Sequence, residues 1–195
     1  MQSTKSETAA MPDIGLAKPA TRGDLMAFLA GLGIDTRTVD HPPVFTVAES
    51  DAIEREIPGG HTKNLFLKDS KGRLFLVVAE SHTRVDLKAL SARLGAGRFS
   101  FGKPDLLMEV LGVTPGSVTA FAAMNDTAGR VSFVVDDNLM RHDSVNCHPL
   151  ENDATTNIAR DDLFRFLSAC GHEPRIAPLG SDDVSTLVRA QKPIL

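Results

Sequence analysis

Two apolar runs, Leu65-Phe66-Leu67 and Leu74-Phe75-Leu76-Val77-Val78, stand on either side of the polar tetrad Asp69-Ser70-Lys71-Gly72. Strand-forming residues running into a glycine-ended turn and out again predict a hairpin of two core strands. The first strand opens with Lys63 and Asn64, just behind Pro58-Gly59-Gly60-His61. A lysine that enters a buried strand is costly unless its ammonium has a partner or a task. The rest of the chain therefore reads as a pocket built around Lys63.

Composition narrows the setting. At 195 residues one domain with a substantial core is expected rather than two. The core must be aliphatic and Phe-based, since the chain has no Trp and no Tyr. A formal charge of -4 argues against coating nucleic acid nonspecifically, yet permits a local basic patch that meets one RNA end. Arg84, Lys88, Arg93 and Arg98 form one such candidate face along a helix and its exit, a solvated face being the bland reading. Cys147 and Cys170 are too few for a disulfide framework, so a reducing cytosol is expected. No apolar run approaches the ~20 residues of a membrane span, and the first residues lack the apolar region of a secretory signal.

Along the chain, residues 1–20 are expected to form a tail, 21–180 the domain, and 181–195 a tail or short helix. Thr21 predicts the N-cap of a helix carrying Leu25, Phe28, Leu29 and Leu32, ended by Gly33. Residues 35–41 predict an edge strand stopped by Pro42-Pro43. Thr46 and Glu49 are spaced as a capping box for a helix reaching Glu56. A helix follows over 86–94, a short strand at Phe99–Phe101, and Lys103-Pro104-Asp105 begins another helix, Leu106 to Leu111. A Gly-Pro loop from Gly112 then runs into an expected strand at Phe121. Strands are expected at 130–135, 143–148 and 154–159, a helix at 161–169, and an edge strand at 175–178. Interleaving this irregular points to a single mixed α/β (α+β) domain rather than a doubly wound one.

Three constellations could carry chemistry. Lys63 and Asn64 offer a cation and an amide at a pocket mouth, against the bland reading of a lysine snorkelling from a strand end. The loop Gly112 to Phe121 could aim free N–H groups at an oxyanion, or be a plain turn. Cys147 and His148, adjacent on a strand, point to opposite faces, so they are not expected to pair as nucleophile and base. His148 alone could line a pocket or be an ordinary part-buried histidine. No HxxxH, HxH or CxxC spacing supports a metal, no Gly-x-Ser-x-Gly elbow a serine hydrolase, and no Gly-Lys-Ser/Thr a P-loop.

At this point a family resemblance enters. His61-Thr62-Lys63-Asn64-Leu65-Phe66-Leu67 resembles the strand motif of the YbaK/ProX family, the prolyl-tRNA editing domains. Gly112-Val113-Thr114-Pro115-Gly116-Ser117-Val118 resembles that family's glycine loop, and Val145-Asn146-Cys147-His148-Pro149 with Thr155 and Thr156 its closing strands. The likeness spans about Thr21 to Pro178 and is nearest to the free-standing deacylases of alanine mischarged onto proline tRNA. One departure stands out: Ala120 occupies the position of the family's loop proline.

The resemblance implies a partly barrel-like mixed sheet flanked by helices, in a cytoplasmic protein without cofactor or metal. It implies hydrolysis of the ester between an amino acid and the terminal ribose of tRNA(Pro), with Ala-tRNA(Pro) as substrate. Deacylation of Cys- or Ser-charged tRNA, or noncatalytic holding of aminoacyl-tRNA, are the alternatives. Lys63 would hold the terminal phosphate or ribose, Asn64 place the ester, Gly116 supply an oxyanion N–H, and His148 orient substrate or water. Ser117 and Val118 would line the substrate site, with Val44, Phe45 and Thr46 as walls too tight for proline. The neighbouring ribose 2′-hydroxyl would help to activate water. The partners implied are the mischarged tRNA(Pro) acceptor end and prolyl-tRNA synthetase, with no DNA and no membrane. A hydrolase of small acylated metabolites and a cysteine hydrolase built on Cys147 are the rival enzymes.

Overall fold

The computed structural model describes residues 19–43 and 55–180. Thr21 caps the first helix α1 (Arg22–Gly31): its hydroxyl accepts from Asp24 N–H while the Asp24 carboxylate accepts from Thr21 N–H, a reciprocal capping box. Strand β1 (Thr36–Asp40) follows. The central hairpin is β2 (Gly60–Asp69) and β3 (Leu74–Glu80), registered from Thr62 opposite Glu80 to Lys68 opposite Leu74. Its turn is held by Asp69, whose buried carboxylate accepts from the Lys71, Arg73 and Gly97 N–H groups and from Arg73 Nε. Desolvation raises the pKa of this carboxyl, but the four donors outweigh it and hold the group well below the usual carboxylate range.

Helix α2 (Leu87–Leu94) has Asp86 as N-cap and ends at Gly95. Strand β4 (Phe99–Phe101) follows, then α3 (Pro104–Leu111) with its proline in the first turn. The expected strand at Phe121 is instead a 3-10 helix, Ala120–Asn125, and every one of its residues is buried. Thr119 Oγ1 accepts from Phe121 N–H and starts the turn, while Asn125 accepts from Ala20 N–H and donates to Leu111 C=O. Those long-range bonds, with small alanines that let the turn sink between α3 and the last helix, override the local strand preference. The chain completes β5 (Val131–Asp136), a 3-10 turn (Asp137–Arg141), β6 (Ser144–Cys147), β7 (Ala154–Ala159), α4 (Arg160–Ala169) and β8 (Arg175–Ala177).

The strands form one mixed sheet in the order β1-β7-β6-β2-β3-β5-β8, and β4 branches from β2. β2–β6, β3–β5 and β5–β8 are parallel, the remaining pairs antiparallel. α1, α3, the Ala120–Asn125 turn and α4 cover one face around Phe121, Phe133 and Phe166. α2 covers part of the other around Phe75, Val77, Leu90 and Phe99. In the larger core Phe166 lies edge-on to both Phe28 and Phe121, with ring centroids 5.8 and 5.3 Å away. The expected tails and the helix from Thr46 lie outside the described residues, apart from 19–20 and 55–56.

Candidate active site

β2 passes through a break in the sheet. On one side of it β3 pairs along Thr62–Lys68. On the other, β6 pairs at Gly60 and His61 only, and β4 takes over at Leu67. Between them Lys63, Asn64 and Leu65 have no neighbouring strand on that side among the described residues. Main-chain groups along a strand turn alternately to its two edges. His61 C=O accepts from Ser81 N–H on the β3 side, and Phe66 C=O accepts from Gly102 N–H on the β4 side. Asn64, two residues before Phe66, therefore turns its own N–H and C=O into the gap.

Side chains alternate as well. Lys63 lies opposite Ala79, which belongs to the smaller core, and Asn64 opposite Val78, which belongs to the larger. The ammonium and the carboxamide leave opposite faces, so one ligand reaches both from the open edge and not from either face. Asn64 Oδ1 is buried and has no hydrogen-bond partner among the described residues. An orphaned acceptor costs about 1–3 kcal/mol, which marks it as a group awaiting a donor.

β6 ends beside this gap. Thr62 Oγ1 donates to Asn146 C=O at 2.8 Å and contacts Cys147 Sγ at 3.6 Å. Cys147 is buried in the larger core, and burial pushes its thiol up to about 12, against the Thr62 hydroxyl bond that lowers it. Such a thiol is not a nucleophile at neutral pH. His148, the next residue, lies just past the end of β6 and is half-buried. Its Nδ1 lies 3.2 Å from Ala154 C=O, an acceptor only, so Nδ1 carries the proton and Nε2 keeps its lone pair. Burial lowers the His148 pKa, and the nearby His41 lowers it further, against the Ala154 carbonyl that raises it. The imidazole is thus neutral near pH 7.

His41 is a member of the site that motif reading passed over. Its Nδ1 donates to Pro42 C=O at 2.8 Å, its Nε2 meets Thr155 Oγ1 at 2.9 Å, and its N–H donates to Asp153 C=O. No local pattern announces this, because the partners lie 114 positions apart. A second network anchors the start of β2. Asn157 Nδ2 donates to Pro58 C=O, Ser144 Oγ and Asn146 Oδ1, and Asn146 Nδ2 donates to the same Pro58 carbonyl. Gly59, at φ +110°, passes so close to β6 that a Cβ there would lie 2.6 Å from Ser144 Oγ.

The glycine loop forms a turn in which Ser117 N–H bonds to Thr114 C=O at 3.0 Å. That amide is therefore taken. The N–H groups of Gly116 and Val118 have no backbone acceptor among the described residues. Gly116 has φ +94°, and a Cβ on it would face Asn152 Nδ2 at 3.8 Å, which puts the loop against the β6–β7 connection that follows His148. Ser117 is buried, and Val118 packs on the larger core. Val44, Phe45 and Thr46 lie outside the described residues.

A groove of about 180 Å³, lined by Pro19, Met108, Glu109, Val110, Gly112 and Asn125, lies beside α3 and touches the start of the glycine loop but not Lys63, Asn64, Gly116 or His148. The Asn125 amide within it is already bonded at both ends. No cluster of metal-ligating side chains occurs among the described residues, and no helix there is long and apolar enough to cross a membrane.

The fold has solved counterparts. A protein described as a candidate trans-editing enzyme for prolyl tRNA synthetase superposes with a TM-score of 0.63 over 82% of this chain and 94% of its own, at 19% identity. That likeness concerns the fold. The sequence profile of the aminoacyl-tRNA editing domain matches residues 41–166. The chain belongs to this family of editing domains. It is 42% identical over 157 residues to the prolyl-tRNA synthetase associated domain-containing protein 1 of Danio rerio, covering 80% of this chain and 85% of the relative. It is 37% identical to the prolyl-tRNA editing protein ProX of Acetoanaerobium sticklandii, covering 76% of this chain and 91% of that one.

Proposed function

We propose that the protein is a cytoplasmic trans-editing deacylase that hydrolyses mischarged tRNA(Pro), with Ala-tRNA(Pro) as its substrate. The observation that carries this reading is the gap in the sheet: a cation, an amide oxygen unpaired among the described residues and open main-chain groups stand there, and a neutral histidine follows the end of β6. An aminoacyl ester offers complementary groups in a short span: an ammonium that donates, a carbonyl that accepts, and a ribose phosphate.

In this reading the Lys63 ammonium holds the terminal ribose phosphate. Asn64 places the ester, its unpaired Oδ1 or gap-facing C=O receiving the α-ammonium. Water adds to the ester carbonyl, and the resulting oxyanion is met by the Gly116 and Val118 N–H groups, Ser117 closing the turn that aims them. His148 Nε2 accepts a hydrogen bond from the attacking water or from the ribose hydroxyl beside it, and the C–O bond to ribose then breaks with a proton going to the departing oxygen. The ester is already activated, so roughly 5–8 kcal/mol of assistance, about four to six decades, suffices. Val44, Phe45 and Thr46 are proposed as the walls that admit alanine and turn away proline. The likeness to ProX supports the prolyl-tRNA assignment, and the names of the relatives make prolyl-tRNA synthetase a proposed partner.

Deacylation of tRNA(Pro) charged in turn with alanine, serine, cysteine and proline tests the reading. Hydrolysis fastest for alanine and negligible for proline is expected. Binding without turnover of any of the four would leave a noncatalytic holding module instead. Equal rates on small acyl esters that lack RNA would point to a metabolite hydrolase.

A further inference from the structure

Strand β7 stands between β1 and β6 in the sheet, and one histidine approaches it from each side. His41, the residue after β1, gives its N–H to Asp153 C=O and meets Thr155 Oγ1 through Nε2 at 2.9 Å. His148, the residue after β6, directs Nδ1 at Ala154 C=O, 3.2 Å away. Cys147 lies opposite Thr156, so His148, one position on, comes level with Thr155. Two strands that flank a third have backbones about 10 Å apart, at ~4.8 Å per pairing. Both rings close that distance by leaning over the same three residues, 153–155.

The two rings are held differently. His41 Nδ1 lies 2.8 Å from Pro42 C=O, an acceptor only, so it carries the proton and Nε2 accepts from the Thr155 hydroxyl. A second proton on His41 needs only that hydroxyl to turn and accept instead. A second proton on His148 would sit on Nε2, which has no acceptor among the described residues. Two charged imidazoles this close repel, and His41 is the one ionisable group among the described residues whose charge acts on His148. The other charged groups around this end of β7 are engaged or turned to solvent. Asp40 pairs with Arg22, and Glu151 and Asp153 are exposed in the connection before β7. Residues 112–118 hold no ionisable side chain, and Lys63 on β2 shares the face of Ala79 and the smaller core.

We propose that His41 is a positioning residue for His148: anchored to the same stretch of β7, it takes up a solvent proton in place of His148 and leaves the His148 Nε2 lone pair open. The inference rests on the proposed function for what that lone pair does, and on the fold alone for the pairing. Its chemical use is to widen, toward acid, the range in which Nε2 can accept from water or a hydroxyl. His41 reaches neither water nor ester itself in this scheme. It acts through Thr155, whose hydroxyl donates to the neutral ring and accepts from the charged one.

Titration of the His148 ring by NMR reads the pairing without any substrate, in the full chain and in His41→Gln, His41→Lys, Thr155→Val and His142→Gln. The acid limb of kcat/KM on Ala-tRNA(Pro) reads its consequence. His142, which pairs with Glu80, is the control. His41→Gln removes the opposing charge and should raise the His148 midpoint. His41→Lys keeps a charge at every pH and should hold the midpoint at or below that of the full chain. Thr155→Val keeps both imidazoles but strips the acceptor that charged His41 needs, and should raise the midpoint as well; it carries the test should His41→Gln fail to fold. The acid limb should move in the same order, with a severalfold loss for His41→Gln below the midpoint, and His142→Gln should move nothing. An unmoved midpoint in both His41→Gln and Thr155→Val, or an equal shift in His142→Gln, overturns the pairing. If the midpoints shift as expected while the full chain deacylates nothing, the proposed function falls and the pairing stands. If the full chain deacylates and neither midpoint nor acid limb moves in any variant, the reverse holds.

Discussion

Replacing Lys63 by methionine removes the ammonium and keeps the stem. The position is half-buried opposite Ala79, at the rim of the smaller core. No ion pair or side-chain hydrogen bond to Lys63 exists among the described residues, so the folded protein loses only a solvated charge. The expected stability change is within about 0.5 kcal/mol, as for surface substitutions that break no network. Activity should respond very differently. A charge-assisted hydrogen bond to phosphate contributes about 1.5–3 kcal/mol, and a donor that tightens in the transition state about 2.7–4 kcal/mol. The variant should therefore lose roughly 10²–10³ in kcat/KM on Ala-tRNA(Pro), at one decade per ~1.4 kcal/mol, with its thermal midpoint unmoved. Single-turnover deacylation beside a melting curve reads both. Full activity refutes the assignment of Lys63, and a loss matched by unfolding refutes the claim that its role is chemical.

Three further outcomes follow from the packing. Burial keeps the His148 imidazole neutral below its usual ~6.5, and the neutral form is the one that accepts through Nε2; kcat/KM should therefore be flat above about pH 6.5 and fall on acidification, the fall vanishing in His148→Ala. Cys147 carries a thiol pushed up to about 12 behind Thr62, so a thiol alkylator at pH 7.5 should leave deacylation intact and Cys147→Ala should remain active; inactivation by the reagent that Cys147→Ala abolishes would restore the cysteine-hydrolase reading. Phe166→Ala deletes the ring that two others meet edge-on in the larger core and should cost about 3–5 kcal/mol in denaturant unfolding, with much of that lost if Phe121 and Phe28 close the void.

Much of this fold was legible because its signals are local. The Thr21 cap with Asp24 three residues on, the Asp69–Gly72 turn, the proline opening α3 and the glycine closing α2 all act within one turn of chain. The miss at Phe121 has the opposite cause. Its 3-10 turn is fixed by Asn125 reaching Ala20, 105 positions away, and no window of neighbours carries that. The site divides in the same way. Alternation along a strand is enough to send Lys63 and Asn64 to opposite faces. What could not be foreseen is that β6 leaves β2 before β4 joins it, which turns that separation into two approaches to one edge. The partnership of His41 with Thr155 was likewise hidden, since it depends on β1 lying beside β7.

A bound analogue would decide the matter most directly: alanine joined by a non-hydrolysable amide to the 3′ position of a terminal adenosine, its position in the complex read by crystallography. Its α-ammonium should lie at Asn64 in the opening between β6 and β4 and its acyl carbonyl within hydrogen-bonding distance of the Gly116 and Val118 N–H groups, with the nucleotide's phosphate at Lys63 and the His148 ring alongside. An analogue seated in the groove beside α3, or anywhere from which neither Lys63 nor His148 touches it, would contradict the account.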